Sequence, residues 1–335
     1  MLFQPAIIAL LLAAGLAVLM LAVAAPFAVQ VIRHWDIGSG SELQLALERR
    51  TYLFSTLLGF VFVAQLAALL LFVFTADRLA VMFVGAMCAV GTLNVNGYGF
   101  PSLLAQIAVF FLAAVWLTVN HVDTLARDYP LVRLKYALLL LLLPVLVGSF
   151  WLELQYFLGL KANVITSCCG SLFSGEAKTI AGEASGMAPQ PAIFLFYGAL
   201  TAAIGLALLH WRRGGQASAY GLALASGGAF VAALIGILSF VSLYIYEHPH
   251  HHCPFCILKP EYDYRGYWLY LPLFVATAAG LGAGAIQPFA RRPSLAAIVP
   301  AVSARLAAVS AAGFVLFAAL ASGFVLASKL ILIEH

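Results

Sequence analysis

The residue types that can do chemistry are concentrated in one short segment of this sequence. Four of the eight histidines and two of the five cysteines lie within nine positions. They are His248, His250, His251, His252, Cys253 and Cys256. Two cysteines at C-x-x-C spacing can close a small disulfide ring or offer two thiolates to a metal ion. The segment therefore predicts either thiol–disulfide chemistry or metal binding.

A second cysteine pair, Cys168 and Cys169, consists of adjacent residues. It can form a vicinal disulfide, bind a soft metal ion through both sulfurs, or undergo thiol–disulfide exchange with Cys253 or Cys256. Four cysteines allow three full pairings, and the sequence does not choose among them. A structural disulfide that joins the two loops is a further alternative. The remaining cysteine, Cys88, lies in an apolar run and is predicted to be a small packing residue.

The metal interpretation uses the histidine run together with the C-x-x-C pair. Two thiolates and one or two imidazoles suit a tetrahedral Zn²⁺ site or a softer Cu⁺ site. Covalent haem attachment needs C-x-x-C-H, but Ile257 stands where the histidine is required. The sequence therefore predicts Zn or Cu as the candidate metal ion, and it predicts no c-type haem.

Three carboxylates are candidate proton relays. Glu153 lies in an apolar run, where ionisable residues are rare and functional by default, although snorkelling to the interface also explains it. Glu261 and Asp263 follow the C-x-x-C pair directly, close enough to exchange protons with a thiol or a metal-bound group.

The composition defines the class of protein that must position these residues. Of 335 residues, 64% are hydrophobic and 9% are charged, and the mean hydropathy is +1.03. Soluble domains have about 25% charged residues, so a soluble enzyme is excluded. The net charge of +4 is too dilute for nucleic acid, and no nucleotide-binding motif occurs. The sequence predicts one all-α polytopic transmembrane helical bundle over residues 1–335, with the lipid bilayer as its surroundings.

Dividing the chain into runs of ~20 apolar residues gives about nine spans. They are 5–32, 51–75, 79–97, 101–120, 136–159, 191–210, 219–245, 267–288 and 306–331. The third is the weakest, because it ends in the turn-rich segment Asn94-Val95-Asn96-Gly97. Two loops carry the candidate chemistry, 160–190 with Cys168/Cys169 and 246–266 with the histidine run and C-x-x-C.

The Lys and Arg residues in the loops predict the orientation. Nine spans divide these 17 residues 9 against 8, but the compact arginine pairs Arg212/Arg213 and Arg291/Arg292 share one side. We expect that side to be cytoplasmic, with the N-terminus in the cytoplasm and both cysteine loops outside. Two whole helices separate the two loops, so they are expected on one face. The predicted location is a bacterial inner membrane, whose outer side is oxidising.

The run Cys253-Pro254-Phe255-Cys256-Ile257-Leu258, at a membrane helix boundary, resembles the motif of quinone-linked thiol oxidoreductases. Examples are the bacterial disulfide-bond-forming membrane protein and the vitamin K epoxide reductase group. The resemblance covers about six residues, and those families are four-helix bundles. It implies that Cys253/Cys256 pass electrons to a bound quinone, and that Cys168/Cys169 exchange with them and with a periplasmic thiol protein.

Three functions follow from these observations. The first is a membrane thiol–disulfide oxidoreductase that exchanges electrons with quinone or a neighbouring redox subunit. The second is a membrane protein that binds or delivers Cu or Zn through the His/Cys cluster. The third is a non-catalytic subunit of a larger electron-transfer complex, with structural disulfides.

Overall fold

The computed structural model describes residues 3–161, 165–166, 187 and 189–330. Within these ranges all regular structure is helical. The helices are α1 (Pro5–His34), α2 (Glu42–Leu79), α3 (Ala89–Leu93), α4 (Gly99–Leu125), α5 (Val132–Leu158), α6 (Pro189–Arg213), α7 (Gln216–Gly236), α8 (Ser242–Tyr246), α9 (Arg265–Ile286) and α10 (Ile298–Ala327).

The prediction of an all-α integral membrane protein is confirmed. The described part of the chain contains eight helical segments long and apolar enough to cross a bilayer. A helix satisfies its own backbone hydrogen bonds, which is necessary in the hydrocarbon core of a bilayer because no water is present there. Helix α2 begins at Glu42, well before its apolar run, so its first turns carry charged residues. Helix α7 continues through a π-helical turn, Ile237–Val241, into α8 without leaving the span.

The predicted third span, 79–97, is wrong, and the number of spans is eight among the described residues rather than nine. This region holds the 3₁₀ turn Ala80–Met82 and the helix α3. Five residues at 1.5 Å each give α3 a length of about 8 Å, against a hydrocarbon core of about 30 Å. Within the segment, Cys88, Ala89 and Val90 are buried in protein, whereas Val81 and Met87 are exposed. Hydropathy does not distinguish protein burial from lipid contact.

The chain forms two compact units. The first contains Met1–Thr75, Asn96–Lys161 and Pro288–Ala301. In it, the connection between α4 and α5 is fixed by Asp123, which is buried. Its carboxylate accepts a hydrogen bond from Leu131 N at 2.7 Å and pairs with Lys135 Nζ at 2.7 Å. Asn120 Oδ1 accepts a further hydrogen bond from the same ammonium.

The second unit contains Ala76–Val95, Ala162–Gln287 and Val302–His335. Small residues let its helices approach closely, as is common in membranes. A Cβ on Gly280 of α9 would lie 2.0 Å from Ser226 Oγ of α7, so glycine is required there. The buried His210 ring contacts Ser218 Oγ and Ser303 Oγ, each at 2.7 Å. This unit holds the candidate functional site.

Candidate metal centre

Three cysteines from two distant parts of the chain form one cluster in the second unit. The Sγ atoms of Cys88, Cys253 and Cys256 all lie within 4.8 Å of one another. The Cys88 and Cys253 sulfurs are 3.5 Å apart. The exposed fractions of these residues are 0%, 0% and 5%. The structure therefore places three sulfur ligands around one point that bulk water does not reach.

The position of Cys88 depends on a tight backbone turn just before it. Gly85 has a φ of +87°, a conformation that favours glycine, and a Cβ there would meet Thr166 O at 2.1 Å. Thr166 N donates to Val84 O at 3.0 Å, and its hydroxyl donates to Gly91 O at 2.8 Å. Thr166 thereby holds both sides of the turn that presents Cys88, which immediately precedes α3.

The Cys253–Cys256 loop is held by two tyrosine hydroxyls from neighbouring helices. Tyr246, at the end of α8, donates to the carbonyl of Cys253. Tyr270, in α9, donates to the carbonyl of Pro254 at 2.8 Å. Cys256 opens a 3₁₀ turn whose last residue, Leu258, packs on Gly266, where a Cβ would be only 2.7 Å from the leucine side chain. These contacts fix the direction of both thiols.

His251 supplies a buried nitrogen beside the sulfur cluster. Its Nε2 atom has no hydrogen-bond partner among the described residues. Its ring packs on Tyr246, with centroids 4.2 Å apart. Burial lowers the pKa of His251, and the neighbouring His248 and His252 lower this pKa further, against the opposing effect of Cys88. A neutral imidazole with a buried, unused nitrogen is the form that binds metals. His251 stands outside the set whose ligand atoms are all within 4.8 Å of each other.

The other three histidines have different surroundings. His252 is half-buried and its Nδ1 donates to Leu238 O, in the π-helical turn, at 2.8 Å. That bond leaves Nε2 as the acceptor nitrogen of the neutral ring. His248 and His250 are exposed, with ring centroids 6.1 Å apart. In the histidine run, His251 and His252 are therefore half-buried, and His248 and His250 are exposed to solvent.

The sulfur separations can be compared with two kinds of chemistry. A disulfide needs an S–S distance of about 2.05 Å, so Cys88 and Cys253 at 3.5 Å are not joined to each other. Four ligands at tetrahedral angles and ~2.3 Å from a Zn²⁺ ion lie about 3.8 Å apart. The observed range, from 3.5 Å to at most 4.8 Å, brackets that value. Small side-chain shifts would bring the sulfurs into a ligand shell.

The structure brings some of the candidate residues predicted from the sequence together and places others elsewhere. Cys253 and Cys256 are brought together, and Cys88, which was assigned to packing, joins them. Cys168 and Cys169 lie outside the described residues. Glu261 and Asp263 are exposed on the turn that follows, where Asp263 contacts Arg265 at 3.5 Å. Glu153 belongs to the first unit.

No signal in the sequence marked Cys88, because it lies 165 positions from Cys253 in an unremarkable apolar run. Comparison of the chain with protein-family models, with curated proteins and with solved structures gave no match in any of the three. The geometry of the cluster is therefore the basis for a functional assignment.

Proposed function

We propose that this protein is an integral membrane protein that binds a soft or borderline metal ion, Zn²⁺ or Cu⁺, through Cys88, Cys253 and Cys256. The observation that carries the proposal is the burial of three cysteine sulfurs within 4.8 Å of one another. Thiolates select Zn²⁺ and Cu⁺ over hard ions such as Mg²⁺ and Ca²⁺.

His251 is the fourth ligand in this proposal. A buried polar atom without a partner costs about 1–3 kcal/mol, and His251 Nε2 is such an atom. A metal ion at the cluster would give this nitrogen a partner once the loop moved to bring the imidazole to the ion. Three sulfurs and one imidazole make a closed Cys₃His site, which is typical of metal ions that are held rather than used in catalysis.

Burial favours metal binding over thiol exchange. Cysteines that attack disulfides lie in partially exposed, electropositive surroundings. Cys88 and Cys253 are fully buried, and Cys256 is 5% exposed. A protein partner would reach these sulfurs only after the loop opened, whereas an ion can enter between side chains.

We also propose that the cluster faces the outside of the cell. With eight crossings, the loops after α2, α5 and α8 share one side of the membrane with the start of the chain. That side has six Lys and Arg residues and the opposite side has eleven. The six are Arg78, Lys161, Lys178, Lys259, Arg265 and Lys329. Cytoplasmic loops carry the excess of Lys and Arg, so the six-residue side is external and the N-terminus is not cytoplasmic. A bacterial inner membrane fits this arrangement.

Metal titration of the purified full-length protein tests the proposal. The protein is isolated without an affinity tag, and Zn²⁺ and Cu⁺ binding are measured separately by competition with a chelator. One equivalent of either ion should bind to the wild type, and Cys88→Ser should weaken that binding by more than about 100-fold, since even loss of an outer-shell partner costs 10–100-fold.

The neighbouring variant Ala89→Ser is the matched control. It adds a hydroxyl at an equally buried position without removing a sulfur, so its affinity should remain near that of the wild type. Equal affinities for Cys88→Ser and the wild type would overturn the proposal, as would binding of less than one equivalent of both ions.

Thiol–disulfide chemistry is a second candidate, favoured by the 3.5 Å separation of the Cys88 and Cys253 sulfurs. Two such thiols would form one disulfide by losing two protons and two electrons, which a quinone would accept to become a quinol. Mass spectrometry after alkylation distinguishes the two functions. A Cys88–Cys253 or Cys253–Cys256 disulfide that forms on addition of quinone, in protein that binds no metal, would favour the oxidoreductase. A quinone, a periplasmic thiol protein and partner subunits remain predictions.

A further inference from the structure

The first compact unit contains a buried carboxylic acid that forms no ion pair among the described residues. Glu153, in α5, is 3% exposed, and its Oε1 atom has no hydrogen-bond partner among the described residues. It lies five residues before the end of α5, or about 8 Å along the helix axis. An ionisable group at this depth of a span is a functional-site hypothesis by default.

Other buried polar atoms lie at the same level of the unit. Within the described ranges, no hydrogen-bond partner is found for the hydroxyl of Tyr156, one turn further along α5, or for Ser102 Oγ and Gln106 Nε2 in α4. Helices α4 and α5 form an antiparallel hairpin that packs Leu112 near Val145 across a small apolar cavity. In an antiparallel pair with Leu112 opposite Val145, the residue of α4 opposite Glu153 is eight positions before Leu112, at position 104. Ser102 and Gln106 therefore lie within about one helical turn of Glu153 along the helix axis.

Such a group of polar atoms needs a partner that the side chains do not provide. Native proteins have only a few buried unsatisfied polar groups per hundred residues, and ordered water usually satisfies the remainder. Here four lie at one level of two packed helices, and one of them is a carboxyl oxygen. Donors and acceptors are both present, which suits water better than any single ion.

At the Glu153 end of the first unit the described chain carries one cation, Lys161, which is exposed and lies three residues beyond the end of α5; the other charged groups of the unit are at its far end. The buried ammonium of Lys135 is 18 residues from Glu153 on the same helix, about 27 Å away, and is already paired with Asp123 at 2.7 Å. Helix α1 has no charged residue before Arg33, and α2 has none between Arg50 and Thr75. In α4 the only titratable groups are His121 and Asp123, at its far end. The segment 288–301 reaches the same far end, where Arg292 donates to Pro130 O.

An ionised carboxylate in this position would be an unpaired buried charge, which is strongly unfavourable. We propose that Glu153 is a proton-binding site within the membrane, occupied by a proton at neutral pH and joined by bound water to Ser102, Gln106 and Tyr156. Protonation removes the charge and converts one carboxyl oxygen into a donor. The short distance to the end of α5 gives the proton a route to the aqueous phase. This site is independent of the cysteine cluster and of the function proposed for it.

Infrared spectroscopy of the full-length protein in lipid tests the proposal. At neutral pH the wild type should show the carbonyl stretch of a protonated carboxylic acid, shifted on exchange into heavy water. The variant Glu153→Gln should lose that band and keep the melting temperature, because a neutral amide replaces a neutral acid of the same shape. Glu42→Gln, at the exposed start of α2, should keep the band. A spectrum without such a band at neutral pH, or one that Glu153→Gln leaves unchanged, would overturn the proposal.

Labelling with dicyclohexylcarbodiimide gives a second test that requires no variant. This apolar reagent modifies protonated carboxyl groups in membranes, and peptide mapping should locate it on Glu153 at neutral pH. Labelling should be insensitive to Na⁺ and Li⁺ at constant pH. If Glu153 remains unlabelled, or if either cation blocks labelling, the site does not bind a proton in the manner proposed. Zn²⁺ and Cu⁺ binding should be the same in Glu153→Gln and the wild type, which separates this result from the fate of the metal centre.

Discussion

At the level of single residues, the candidate site depends on atoms that the surrounding protein has excluded from water. Cys88 and Cys253 are fully buried, and the buried His251 Nε2 atom has no hydrogen-bond partner in the part of the chain that the structure describes. Buried polar groups without partners are unfavourable in a stable fold. Metal binding explains why the sulfurs of Cys88, Cys253 and Cys256 lie within 4.8 Å of one another, and the ion would supply a partner for the His251 nitrogen.

His251 can be tested against its exposed neighbour. We expect His251→Gln to weaken Zn²⁺ binding by at least about ten-fold, the lower end of what loss of a supporting group costs at metal sites. His250→Gln should leave the affinity unchanged, because His250 is exposed. Competition with a chromophoric chelator measures both. If the two variants bind Zn²⁺ equally well, His251 is not a ligand.

The sequence predicted part of this site, since C-x-x-C spacing beside a histidine run is a local pattern. Cys253, Cys256 and His251 were all candidates on that basis. Cys88 was not, because its partners are 165 positions away and its neighbours are apolar. A contact between distant segments leaves no trace in local spacing, so only the folded chain identifies the third sulfur.

At the level of elements, the turn between α2 and α3 determines where Cys88 lies. Gly85 adopts a positive φ and packs directly on the backbone of Thr166. The amide and the hydroxyl of Thr166 bond to Val84 O and Gly91 O, on either side of the turn, which fixes the position of Cys88.

Gly85→Ala should disturb this turn and with it the metal centre. A non-glycine residue at positive φ costs about 1–2 kcal/mol, and the new Cβ would also meet Thr166 O at 2.1 Å. We expect a lower melting temperature and weaker Zn²⁺ binding. Gly97→Ala is the control, because no atom lies within 4 Å of the Cβ that it adds. Unchanged Zn²⁺ affinity in Gly85→Ala would show that the turn does not position Cys88.

The same region shows the limit of hydropathy as a guide to elements. The long spans were predictable because ~20 apolar residues in a row have few other uses. Residues 79–97 are also largely apolar, yet they form only a 3₁₀ turn and the five-residue helix α3, in which Ala89, Val90 and Leu93 are buried. Apolar side chains are required in both situations, so composition alone gave one helix too many.

At the level of the whole molecule, the number of spans decides which side of the membrane holds the metal centre. Nine spans divide the Lys and Arg residues almost evenly, whereas eight give eleven against six. The helical class of the protein was predictable from composition. Its topology was not, because one miscounted span changes the side of everything before it relative to the rest of the chain, namely the N-terminus, Arg33, Arg49, Arg50 and Arg78.

Labelling of introduced cysteines tests this topology. In a background of Cys168→Ser and Cys169→Ser, Phe3→Cys and Ser39→Cys each add an exposed thiol. A membrane-impermeant maleimide added to intact cells should label Phe3→Cys and not Ser39→Cys, because positive charges favour the cytoplasm for the loop after α1. The reverse pattern would show the opposite orientation, and labelling of both positions would contradict a complete crossing by α1.

The central claim is that three sulfurs from two distant segments hold one metal ion. X-ray absorption at the zinc edge of Zn²⁺-loaded protein measures this directly. We predict three sulfur ligands at about 2.3 Å and one nitrogen at about 2.0 Å, with one sulfur fewer in Cys88→Ser. A zinc ion coordinated only by nitrogen and oxygen, or a spectrum that Cys88→Ser leaves unchanged, would contradict the account.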